Sequence, residues 1–147
     1  LIMVAKHELA AAKLSGKIKK DYYAVLTGVP ENKSGIINAP IARCGDSIIK
    51  RKVSPDGEYS VSEYKTIKIS NGNALVKFNL LTGRTHQIRV HSAYIGHPLL
   101  GDTMYGGDTA LIKRQALHCK DIYFTHPVTE TEMHLSCDFP SDIKEVL

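Results

Sequence analysis

From Asp21 to Gly28 (DYYAVLTG) apolar side chains fall on both faces of an alternating run. Tyr22, Ala24 and Leu26 share one side, and Tyr23, Val25 and Thr27 the other. Two-sided burial of this kind predicts a central strand rather than an edge. Ser60 to Ile69 and Ala74 to Leu81 flank the turn-forming Ser70, Asn71, Gly72 and Asn73, which predicts a hairpin. Between these, Val29 to Gly57 is broken by Pro30, Gly35, Pro40, Gly45, Pro55 and Gly57, so only short strands and turns are expected there. Leu1 to Ala5 reads as a strand, and His7 to Ser15 as a helix stopped by Gly16. Thr85 to Ile95 is a second helix, with Thr85 as its cap, Ile88, Ser92 and Ile95 on one face, and Gly96 and Pro98 at its end. A Gly-rich loop through Gly101, Gly106 and Gly107 leads to a short helix and then a strand around Ile122 to Phe124. His126 and Pro127 make a turn, and a last strand from Thr131 to Cys137 is closed by Pro140. No repeat or linker divides residues 1–147, so one domain is expected.

With 43% hydrophobic and 23% charged residues in 147, the chain can form a core without disulfides or a structural metal. Cys44, Cys119 and Cys137 are odd in number and lack CxxC spacing, which suits free thiols in a reducing cytoplasm. No apolar run is long enough to span a bilayer, and the start has neither a basic leader nor a cleavage pattern. Leu1 opens inside a strand-like run, which leads us to expect residues upstream of it. The histidines and Cys119 form no helical pair of ligands, so no metal is expected. A formal charge of +4 is compatible with a polyanionic partner without requiring one.

Chemistry concentrates in LLTGRTHQIRVHSAYIGHPLLGD, Leu80 to Asp102, where a strand gives way to a helix. Helix N-terminal amides and the forked guanidinium of Arg84 suit phosphate, and Gly83 lets a backbone approach closely. At helical spacing Arg84, Gln87 and His91 lie along one side, while Arg89 points elsewhere. Arg84, Thr85, His86, Gln87 and His91 are therefore the candidate RNA contacts. Each of them, taken singly, also fits a solvated turn, and Tyr22 also fits a packed strand tyrosine.

TGRTHQIRVH followed by IGHPLLGD and YG resembles the C-terminal signature of RNA pseudouridine synthases of the large-subunit ribosomal (RluA) type. Other blocks keep the same order. KKDYYAVLTG (Lys19 to Gly28) resembles the family's K-x-Y-x-A strand, Gly35 to Ile41 its G-x-I-x-x-P-I turn, and ALHCKDIYFTHP (Ala116 to Pro127) its A-L-H-A strand and turn. The resemblance implies an α+β fold with a mixed, mostly antiparallel sheet and flanking helices, and an isomerase that needs no cofactor or metal. Its partner would be ribosomal or transfer RNA in the cytoplasm, with the target uridine flipped from its stack. In that family an aspartate in R-L-D-x-x-T-S-G is the nucleophile, and the residues after it read like LIMVAK. None of Asp21, Asp46, Asp56, Asp102, Asp108, Asp121, Asp138 and Asp142 lies in such a motif, so the 147 residues alone are expected to be inactive and prone to self-association. Tyr22 is similar to the tyrosine that stacks on the uracil and helps remove its C5 proton. Arg89 is similar to the arginine that pairs with the nucleophile. Two other readings remain, a non-catalytic RNA-binding module and an α+β domain acting through protein contacts.

Overall fold

The computed structural model describes residues 1–45 and 47–147. Its elements in chain order are α1 (Glu8–Leu14), β1 (Lys19–Leu26), β2 (Ser34–Asn38), β3 (Ile41–Arg43), β4 (Arg51–Val53), β5 (Val61–Ser70), β6 (Asn73–Leu80), α2 (Gln87–Tyr94), β7 (Leu117–Thr125), β8 (Glu132–Ser136) and α3 (Ser141–Glu145). Six strands form one sheet in the order β2-β5-β6-β1-β7-β8, and β3 with β4 forms a separate hairpin. Every described strand pairing is antiparallel, so the α+β class holds and no parallel pair makes the sheet mixed.

The two-sided pattern of β1 has its counterpart in two cores. Tyr22, Ala24 and Leu26 pack on one face with Val76, Phe78, Ile88 and Leu99. Tyr23 and Val25 pack on the other with Leu100, Ile112, Ile143 and Phe139. Because β1 is covered on both faces and hydrogen-bonded along both edges, to β6 and β7, its side chains are among the best fixed in the molecule. The β5–β6 hairpin turns at Asn71 and Gly72, both with positive φ (50° and 75°), the geometry that a two-residue Asn-Gly hairpin turn requires.

Several sequence expectations need correction. Leu1–Ala5 is not a strand: no neighbouring strand pairs with it, and Ile2 and Val4 are 90% and 80% exposed. Among the described residues, the Leu1 nitrogen donates to the Cys119 carbonyl and ties the segment's start to the sheet. Thr85 does not cap α2, which starts at Gln87, and the residue before it, His86, has φ 58° with no side-chain cap. No helix forms between Gly107 and Ala116, where turns and bends follow the Asp108 side chain accepting from the Ala110 amide. The five-residue α3 was not anticipated, because one turn after Pro140 carries too little periodicity to read. Among the described residues, no helix is long and apolar enough to cross a membrane.

Candidate active site

The site lies on the face of the sheet that carries Tyr22, where the chain leaves β6 and turns into α2. Gln87 builds that turn. Its side chain is buried, with Nε2 donating to the Val61 carbonyl and Ser62 Oγ, both at 2.9 Å. Its Oε1 accepts from Thr82 Oγ1 and from the Arg84 amide, both at 2.9 Å, so the turn is stapled to β5 from inside. His91, one turn on, is fully buried. Its Nε2 must donate to the Ala39 carbonyl at 2.9 Å, which leaves Nδ1 to accept from Ser62 Oγ at 2.9 Å. Burial holds this imidazole below its ordinary pKa and hence neutral, only partly offset by the bond to Ala39.

Burial and these contacts engage the polar side-chain atoms of Gln87 and His91 within the protein, so neither side chain offers RNA a free donor or acceptor. The Arg84 amide is likewise committed to Gln87 and not open to phosphate. The side chain of Arg84 is partly exposed, with Nε donating to the Tyr59 carbonyl at 3.1 Å and Nη1 paired with Glu58 at 2.5 Å. Thr85 is exposed beside it.

Tyr22, Leu80, Arg84, His86, Arg89 and Leu117, with Gln87, Ile88 and Gln115, line one cleft of about 280 Å³. Tyr22 and Leu80 also line a neighbouring cleft of about 610 Å³, bordered by Lys19, Lys20, Thr82 and Gly83. The two candidate catalytic residues thus share a cleft, Tyr22 at its junction with the larger one. Burial raises the Tyr22 phenol above its ordinary pKa, and Cys119 across the β1–β7 pairing adds to the effect.

Arg89 is held by a residue that sequence reading left outside the site. Its Nε and Nη2 donate to the two carboxylate oxygens of Asp102 at 2.6 and 2.7 Å, and the Asp102 side chain is 0% exposed. The Tyr105 ring lies 4.8 Å from the guanidinium carbon. The hydrogen bond to Asp102 raises the guanidinium pKa further, so Arg89 is a fixed cation. Tyr105 Oη accepts from the Arg51 amide at 3.0 Å and is 2.9 Å from His86 Nδ1. Burial lowers the His86 pKa, and the charges of Arg89 and Arg51 lower it further. Asp102 and Tyr105 sit in the LLGD and YG blocks of the signature, which was the available signal for them. Among the described residues no group of three or more His, Cys, Asp and Glu is gathered as a metal site would need.

A family model described as RNA pseudouridylate synthase matches residues 1–94. The chain is 41% identical to the uncharacterized RNA pseudouridine synthase YjbO of Bacillus subtilis (strain 168), over 100% of this chain and 54% of that protein. It is 36% identical to ribosomal large subunit pseudouridine synthase D of Vibrio cholerae, over 99% of this chain and 51% of that protein. The chain therefore spans about half the length of the curated relatives it matches. Human RNA pseudouridylate synthase domain containing 1 superposes with a TM-score of 0.77 at 23% identity, over 92% of this chain and 62% of that structure, a likeness of fold.

Proposed function

The chain belongs to the RNA pseudouridylate synthase family, and from that premise we propose that it forms the base-binding half of an enzyme converting uridines of ribosomal or transfer RNA to pseudouridine. The isomerisation breaks the bond from N1 to the ribose C1′, forms one from C5 to C1′, and moves a proton from C5 while N1 gains one. It needs a carboxylate nucleophile, a surface for the detached uracil and a proton acceptor. Tyr22 supplies the surface and assists removal of the C5 proton. Arg89 keeps the nucleophilic carboxylate ionised at the site. The carboxylate is contributed by an R-L-D-x-x-T-S-G aspartate outside these 147 residues. Arg84, Thr85 and His86 meet the RNA beside the cleft, with Lys19 and Lys20 along its larger neighbour.

The observation that carries this reading is the single cleft shared by Tyr22, Arg84, His86 and Arg89. Its test is release of tritium from RNA labelled at uracil C5, using the 147-residue chain and a version extended upstream through the aspartate motif. The extended protein is expected to release tritium with or without a metal chelator, and the short chain to release none. RNA binding by the extended protein without release would favour a non-catalytic binding module instead.

A further inference from the structure

The sequence GDTMYGG, Gly101 to Gly107, folds into a loop that few other residues would permit. Gly101 has φ 73°, and a Cβ there would lie 2.0 Å from the Arg114 carbonyl oxygen; at Gly107 a Cβ would lie 1.8 Å from the Leu99 oxygen. The amides of Tyr105 and Gly107 both turn back onto the Asp102 carbonyl. The loop thus closes tightly around Asp102 and holds a carboxylate with no exposed side-chain surface against Arg89. Such a group is costly to bury unless its charge is matched, and here the match is a two-point fork on the guanidinium.

We propose that Asp102 is a positioning residue that orients Arg89 and shares its charge, so that the nucleophilic carboxylate meets a partly neutralised guanidinium. This rests on the role given to Arg89 above. With Nε and Nη2 engaged by Asp102 and one guanidinium face covered by Tyr105, the Nη1 end is the part of Arg89 that Asp102 leaves for a second carboxylate. An arginine facing one carboxylate alone would hold it strongly ionised but weakly nucleophilic. Sharing the cation between two carboxylates restores basicity to the reacting one while keeping its position.

The test is Asp102→Asn in the protein extended through the aspartate motif. Asn keeps the shape and removes the charge. The expected result is a kcat about 10- to 100-fold lower with KM within about threefold, because the loss lies in the reacting state. Taking away the negative charge also lowers the nucleophile's pKa, so the acid limb of the rate profile should move down by about one pH unit. A uniform loss of rate with an unmoved acid limb would make Asp102 a scaffold residue and overturn the inference. A second readout needs neither substitution nor turnover. In the unsubstituted 147-residue chain the Arg89 Nε–H should exchange with water at least about tenfold more slowly than that of exposed Arg43, as a charge-assisted buried bond requires. Equal exchange would also overturn it. An unsubstituted extended protein that is silent on RNA would count against the proposed function, while the exchange measurement still decides the positioning of Arg89.

Discussion

Gln87→Ala separates a residue that builds the site from one that touches RNA. The substitution deletes four hydrogen bonds of 2.9 Å in a side chain that is 2% exposed. Part of the loss is cushioned. The Val61 carbonyl keeps the Leu81 amide, Ser62 Oγ keeps His91, and Thr82 Oγ1 keeps the Val61 amide. The Arg84 amide loses its side-chain acceptor, and the truncated side chain leaves a gap between α2 and β5. At about 0.5–1.5 kcal/mol for each net hydrogen bond, with this cushioning and the gap taken together, the expected destabilisation is about 2–4 kcal/mol. With no tryptophan in the chain, urea unfolding is best followed by far-UV circular dichroism. Thr85→Ala, at an exposed neighbour, should stay within about 0.5 kcal/mol of the parent. RNA affinity of folded Gln87→Ala should fall only as far as the loosened turn misplaces Arg84 and His86. A loss of stability under about 0.5 kcal/mol together with a tenfold loss of affinity would refute this account and return Gln87 to the RNA-facing set.

Arg84→Ala should weaken RNA binding and reduce its salt slope by roughly one, measured as affinity across salt concentrations; an unchanged slope would remove Arg84 from the phosphate contacts. The imidazoles of His86, His91 and His118 are all held below their ordinary value near 6.5, chiefly by burial. Since the unfolded chain takes up protons on them first, their stability is fully present above about pH 6.5 and lost as pH falls through the folded values. Unfolding midpoints that stay flat from pH 7 to 5 would contradict the buried, neutral state of His91. The apolar Ile2 and Val4, together with the open edges of β2 and β8, should make the 147-residue chain self-associate, and sedimentation as a monomer at all concentrations would count against it.

Local pattern made much of the fold legible. The alternation in β1 anticipated its central place, and Asn71-Gly72 anticipated the hairpin, because both signals act within a few residues. What escaped depended on partners far along the chain. Gln87 and His91 looked like a polar helix face, yet their acceptors, Val61 and Ala39, lie 26 and 52 residues away, and nothing in a helical wheel reveals them. Leu1–Ala5 is apolar enough for a strand, but a strand exists only with a neighbour to pair with. Thr85 had the chemistry of a cap, while the positive φ of His86 moved the helix start beyond its reach. At the site, the resemblance pointed to Tyr22 and Arg89, which the fold gathers in one cleft. The carboxylate that Arg89 pairs with among the described residues, Asp102, sits 13 residues on in a loop whose shape depends on close glycine packing. A composition-based reading had no means of closing that loop.

Pseudouridines in cellular RNA are to be mapped with and without the intact gene. One or a few discrete sites should disappear from ribosomal or transfer RNA when the gene is removed. They should return with the unsubstituted gene, but not with one carrying Arg89→Ala, in which a buried carboxylate is left without its cation at a cost of about 3–5 kcal/mol. An unchanged map in the absence of the gene, or full restoration by Arg89→Ala, would contradict the account.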